Sequence, residues 1–463
     1  MSLRSQVAVP ALAALLAAPP AQLGAQPDGT EATLDALVAE ALANNPDVLA
    51  AAESGAAAEA RPEQARSLPD PMLSLQYTND GWRPTLGEMQ MTTLALMGSQ
   101  TFPWPGKRGL RAAIARSDAA RAGEGVERAR LTLAASVKRA FWGLALARET
   151  LDLLAEQHGI WRRAEAVARE RYVVGQGTQQ DVLRAQVEVT RYEQRRVEQQ
   201  AELAVRAAEL NRLLNRAADA PAPETPRLVL RPRAVELTAL WAEAEARSPE
   251  LRASALARER EELAARLARK DFRPDLTVQA GYMNRGGLDP MWQAGVGLNL
   301  PVLRGRRRAA VAEAQARGRG AARAAEAVRA ELRLRSQERA VQLRAAEALA
   351  RLYTEGLIPQ GRLAYEAAIA SYQAGKVPFL TVLEALSSLY ADRAGQLRVV
   401  AAHERLKVAL DEASLEPTSE MPAAAGPGMG ALASRLGGEG SMGGAATPAG
   451  TPTAPATMGS MGQ

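Results

Sequence analysis

YVVGQGTQQDVLRAQ, residues 172–186, and YQAGKVPFLTVLEAL, residues 372–386, are one segment written twice. Tyr172, Gly175, Val182, Leu183 and Ala185 recur as Tyr372, Gly375, Val382, Leu383 and Ala385, each displaced by 200 positions. In both copies a glycine interrupts a helical pattern, which supplies the backbone freedom to end a helix and reverse the chain. Working outward, the repetition continues. Ser248-Pro249-Glu250-Leu251 echoes Asn45-Pro46-Asp47-Val48. Pro71, Leu73, Leu75 and Gln76 recur as Pro274, Leu276, Val278 and Gln279, displaced by 203, and Phe102-Pro103 before a basic cluster recurs as Leu300-Pro301 before Arg304 and Arg306. Ordered matches at near-constant displacement mark an internal duplication.

Each half reads as a short helix, two strands, a very long helix, a glycine turn and a further helix. Leu133, Val137, Ala140, Leu144, Ala147, Leu151, Leu154, His158 and Trp161 alternate by four and three over four heptads, the seam of a coiled coil. From near Lys107 to Val174 a continuous helix would be roughly 100 Å long. The second half offers a matching span from about Arg306 to Ala374, which Gly356 and Pro359 should kink. In the second-half strands, Leu276, Val278, Ala280 and Tyr282 oppose Thr277, Gln279 and Gly281, while Trp292, Ala294, Val296, Leu298 and Leu300 oppose Gln293, Gly295, Gly297 and Asn299. That period of two gives one apolar and one wet face. The first-half strands alternate less cleanly, and a bulge is expected around Thr93. A soluble sandwich with one solvated face shares this pattern. At roughly 9 to 11 residues, the strands also suit a tilted membrane crossing.

The chain of 463 residues has 4% aromatics and a net charge of +5, with Arg interleaved with Glu along helical stretches. Such composition fits long helices packed through small residues and lacks the basic, aromatic-interleaved stripe of a nucleic-acid binder. With no cysteine, disulfides, thiolate metal sites and an N-terminal lipidated Cys are excluded. Residues 1–25 run from Arg4 through an apolar stretch to Ala25 and read as a secretory signal peptide, a buried N-terminal helix being the other reading. No later stretch approaches the roughly 18 apolar residues of a spanning helix, so entry into a membrane would be as a β-barrel. From 414 to 463 Pro, Gly, Ala, Ser, Thr and Met dominate without period, as in a disordered tail. Its Met421, Met429, Met442, Met458 and Met461 are incidental or ligands for a soft ion such as Cu(I).

The domain reading is therefore a leader at 1–25, a first repeat at 26–225, a second at 226–413 and the tail. Strands are expected at about 71–79, 89–102, 274–283 and 291–300. Helical hairpins are expected at about 107–215, with a tip near 175, and 306–413, with a tip near 375. Four strands cannot close a barrel in lipid, where an open edge leaves backbone groups unsatisfied. Three copies would give about twelve strands, within the range of known barrels. The fold class is mainly α with membrane β-barrel strands, and a trimeric helical barrel would continue the twelve-stranded one.

The two turns, each Tyr-x-x-Gly followed six residues later by Asp/Thr-Val-Leu, resemble the periplasmic tips of TolC-like outer-membrane efflux proteins over about residues 31–413. LPDPMLSLQYTND and MGSQTFPWPGKRGLR look more like the heavy-metal and cation branch. The resemblance implies a homotrimer in the bacterial outer membrane with a long periplasmic portion. It further implies a periplasmic adaptor and an inner-membrane pump as partners, lipid around the barrel, and passive conduction. Tyr77, Tyr282 and Trp292 would be membrane-strand aromatics, and Gly175, Gly177, Gly375 and Lys376 would form the adaptor-docking tips. Asp181 and Tyr372 match a polar link that closes the pore. Glu384 matches an acidic ring, which would attract cations. Val377 stands where an Arg link is expected, and Thr381 where the other ring Asp is expected. A helix-start cap for Asp181 and a solvated surface residue for Glu384 remain alternatives.

Phosphate loops, His-x-x-x-His pairs and serine elbows are missing from the sequence. No enzyme and no cofactor are expected, and His158 in the heptad seam reads as a packed or hydrogen-bonded residue. A periplasmic adaptor and a coiled-coil scaffold are the competing functions; an adaptor would show one hairpin with split β halves rather than two in tandem.

Overall fold

The computed structural model describes residues 29–80, 82–85 and 91–417. The leader read at 1–25, the start of the strand expected from 89, and the tail from 418 on, with its five methionines, lie outside the described residues; the tail's first residues are described, and Ser414 is buried. Helix α1 (Gly29–Asn44) and α2 (Pro46–Glu59) meet at Asn45, whose side chain accepts from Asp47 N at 2.9 Å and donates to the Leu213 carbonyl at 3.0 Å. After α3 (Arg61–Arg66), strands β1 (Met72–Thr78) and β2 (Thr93–Phe102) lead into α4 (Lys107–Val173) and α5 (Gln179–Leu213). The second half runs α6 (Leu237–Arg247), α7 (Pro249–Lys270), β3 (Leu276–Arg285), β4 (Leu288–Leu298), α8 (Arg304–Arg351), α9 (Ile358–Gln373) and α10 (Phe379–Glu412). Ser248 caps α7 by accepting from Leu251 N at 3.3 Å, with Pro249 as the first helical residue. Both Asn45-Pro and Ser248-Pro combine a side-chain cap with a residue that needs no amide partner.

At 67 residues α4 extends roughly 100 Å. Its heptad seam is buried at Leu133, Val137, Leu144, Ala147, Leu154 and Trp161. His158 pairs with Glu193 of α5 at 2.9 Å, an interhelical contact. In the second half the long helix is interrupted by a π turn over Leu352–Leu357, which ends two residues before Pro359. Proline removes an amide and crowds the preceding carbonyls, so one widened turn absorbs the misfit. Among the described residues no helix is long and apolar enough to cross a membrane.

The four strands form one antiparallel sheet in the order β1-β2-β3-β4, each half supplying a neighbouring pair. Its register pairs Leu75 with Leu96, Leu96 with Tyr282, and Tyr282 with Trp292. One face thus carries Leu73, Leu75 and Tyr77, then Leu94, Leu96 and Phe102, then Leu276 and Val278, then Val296 and Leu298. The bulge expected at Thr93 is absent: Thr93 opens β2 opposite Thr78, and the ladder continues unbroken to Met72 opposite Ser99. The blurred alternation has another cause, since Ala95 and Met97 share the face on which β2 also carries Thr93, Ser99 and Thr101. The sheet's irregularity lies instead between Met283 and Arg285.

One buried ion pair joins sheet to helices, and a second charged cluster joins helices to one another. Lys107, 4% exposed at the start of α4, reaches Asp275 at 3.0 Å and the Arg273 carbonyl at 3.0 Å. Burial alone would raise the Asp275 carboxyl, but the Trp104 amide at 2.8 Å and Lys107 outweigh it and hold the group below the usual range. Farther along, Glu412 of α10 is buried between Arg128 and Arg139 of α4, the latter at 2.7 Å, while Arg128 also meets Glu250 of α7 at 3.1 Å. Arg339 of α8 donates nearby to the Ala409 and Glu416 carbonyls and to Ser414.

Candidate functional site at the helix tips and sheet faces

Both hairpin turns have the same backbone. Gly175 N bonds to the Tyr172 carbonyl at 3.0 Å and Gln176 N to that of Arg171 at 2.8 Å; Gly375 N bonds to Tyr372 at 2.9 Å and Lys376 N to Ser371 at 2.9 Å. These are paired Schellman closures, with Gly175 at φ 73° and Gly375 at φ 74°, where a side chain would be strained. The outgoing helices differ. Thr178 caps α5 by accepting from Asp181 N at 3.2 Å, whereas Pro378 begins α10 without a side-chain cap. Capping therefore falls to Thr178, which leaves the Asp181 carboxylate for other partners.

One such partner is Tyr372. This residue is buried at the end of α9 and packs against Phe379, with ring centroids 5.1 Å apart, in an apolar cluster that also holds Trp161, Tyr192, Val382 and Leu386. Its hydroxyl donates to Asp181 Oδ2 at 3.5 Å. Burial pushes the Tyr372 phenol up, and the Asp181 charge adds to the rise while Arg171 opposes it. The phenol thus keeps its proton and remains the donor.

Arg171 was not singled out in the sequence. Its guanidinium lies 4.8 Å over the Tyr372 ring and donates to the carbonyls of Tyr372, of Gln373 at 2.8 Å and of Gln176 at 2.9 Å. A single side chain therefore satisfies carbonyls from both turns. The available signal was a break in the repeat, since the equivalent position in the second copy is Ser371.

Val377 packs against the tip cluster, so the position where an arginine link was expected is apolar. Thr381 is half-buried and its amide bonds to the Pro378 carbonyl at 3.1 Å, while Glu384 is exposed on α10. Gly175, Gly375 and Lys376 are exposed and Gly177 is half-buried, beside Val173 and Val174 at 76% and 65% exposure. At the other end, Tyr77, Tyr282 and Trp292 are exposed on the apolar sheet face, and the Tyr77 hydroxyl donates to the Thr85 carbonyl at 2.6 Å.

Among the described residues no group of three or more His, Cys, Asp or Glu could hold a metal ion. The arrangement offers two polar-linked turns at one end and an exposed apolar sheet at the other.

Comparison with known proteins gives this geometry a context. The sequence model of the outer membrane efflux proteins matches residues 37–216 and 240–414, one match in each half. No curated protein matched in the sequence comparison. Among solved structures, the outer membrane protein VceC of Vibrio cholerae is similar at 22% identity and TM-score 0.70, over 82% of this chain and 96% of that one. CusC is similar at 19% and 0.67, over 85% and 93%. The open-state MtrE outer membrane channel of Neisseria gonorrhoeae gives 18% and 0.64, over 82% and 88%. At these identities the structural likeness establishes the fold.

Proposed function

The chain belongs to the outer membrane efflux protein family and is an outer-membrane efflux channel; on that premise we propose that it works as a homotrimer whose sheets close into one twelve-stranded barrel. Channels of this family are transport proteins without enzymatic activity, and the adaptor and scaffold readings fall away. The observation that carries the trimer is the sheet. Among the described residues β1 and β4 each pair on one side only, and Leu73, Leu75, Trp292 and Val296 are 68–80% exposed on its apolar face. An apolar face needs lipid or protein over it, and an edge within lipid needs a partner strand.

The helices carry matching support. Leu183, Val187, Val197 and Val205 leave an apolar stripe exposed along α5, and Leu334, Val341, Leu352 and Leu363 leave another along α8, the π turn and α9. Neighbouring copies would cover both, continuing the barrel as a helical tube into the periplasm. The tips, with Gly175, Gly177, Gly375 and Lys376, would dock a periplasmic adaptor joined to an inner-membrane pump, which supplies the energy. Asp181 and Tyr372 would hold the tube closed. Glu384 and Thr381 would line its narrow end, and the threefold Glu384 ring would favour cations, in keeping with the resemblance to the heavy-metal branch.

The test exploits a chain without native cysteine. Cysteine pairs introduced along β1 and β4 should yield disulfide-linked ladders ending at the trimer, in material that requires detergent for extraction. A monomer stable in plain buffer would overturn the reading.

A further inference from the structure

On the face of the sheet opposite Trp292 and Val296, the side chains include Ser74, Gln76, Thr78, Thr93, Ala95, Ser99, Thr101, Thr277, Gln279, Gln293 and glycines, and each strand adds one methionine: Met72, Met97, Met283 and Met291. Long apolar side chains at positions patterned for water need a reason beyond packing. Met283 and Met291 are direct cross-strand partners. Met97 stands opposite Gly281, one step diagonally from Met283, a separation that long side chains bridge. Its sulfur occupies the place that a Cβ on Gly281 would fill, and it accepts a hydrogen bond from the Gln293 amide at 3.4 Å. Glycine at 281 thus lets the Met97 thioether lie across β3 toward β4, beside the row that holds the Met283–Met291 pair.

We propose that Met97, Met283 and Met291 form a thioether site for a soft monovalent cation, Cu(I) or Ag(I), on the water-facing side of the sheet. The assignment rests on the barrel reading, which turns this face to the channel interior. Three neutral sulfur donors suit a soft cation and are poor ligands for Mg²⁺, Ca²⁺ or Zn²⁺. Half-exposed thioethers without thiolate charge would hold the ion loosely, as a site on a conduction path requires. The Gln293 amide, now on Met97, would be released as the metal takes its place. Met72 continues the diagonal onto the edge strand, next to the neighbouring copy.

Full-length trimer in detergent, with methyl-labelled methionine, would be titrated with silver nitrate in chloride-free buffer, and bound silver counted after desalting. The comparison protein carries Met97→Leu, Met283→Leu and Met291→Leu, which nearly conserve volume. The variant should retain about one silver ion fewer per chain, and the three methyl signals should shift together in the parent. Equal silver in parent and variant, or methyl signals that stay in place in the parent, would overturn the site. Loss of the trimer in the parent would instead sink the barrel reading, so the two failures are distinguishable.

Discussion

The Tyr372 hydroxyl donates to the Asp181 carboxylate over 3.5 Å, tying the last turn of α9 to the first turn of α5. One partner comes from each repeat, so the bond joins the two hairpin tips of one chain.

Removing this link should favour the open tip. Asp181→Ala with Tyr372→Phe forfeits a hydrogen bond worth about 1 kcal/mol, a several-fold shift in population. Single-channel recording in planar bilayers should show raised conductance; a current indistinguishable from the parent's rules the link out as a gate.

Arg171 should matter more than the hydroxyl bond, because it meets carbonyls of both turns and the Tyr372 ring. Charged hydrogen bonds contribute about 1.5–3 kcal/mol each, and lysine lacks the planar fork. Both Arg171→Ala and Arg171→Lys should speed amide exchange over residues 172–177 and 372–377. Protection that survives either change would show the clip to be ornamental.

Glu412→Gln should be strongly destabilising. It leaves Arg128 and Arg139 facing a neutral amide, with Arg339 nearby, in a site where the carboxylate side chain is 2% exposed. Breaking a buried pair costs about 3–5 kcal/mol. Detergent-phase thermal unfolding should show a clearly lowered midpoint, with surface change Glu313→Gln as the neutral control.

Acid should loosen the joint between sheet and helices. The Asp275 carboxyl is held below its ordinary value in the folded state. Its contribution is therefore complete above the unfolded pKa of about 4 and fades as pH falls through the lower folded value. Exchange at the Trp104 amide should rise below about pH 4 in the parent, whereas Asp275→Asn should be loosened already at neutral pH. A flat parent profile would contradict the assignment.

Cation preference should depend on Glu384. If reversal potentials under a salt gradient are unchanged in Glu384→Gln, the exposed carboxylate is a solvated surface group and no more.

Repetition and period alone determined the two hairpins, the glycine turns and the faces of β3 and β4, because these depend on spacing along the chain: four-three for α4, alternation for β3, and a left-handed glycine at each tip. Tertiary structure decided what spacing cannot encode. Arg171 reaches Tyr372 across two hundred residues, Met97 leans over Gly281 from another half, and Glu412 gathers arginines from α4. Such contacts depend on which helices become neighbours and how a sheet is registered, which burial of the whole chain sets at once. Local preference fixes the elements, and only packing chooses their partners.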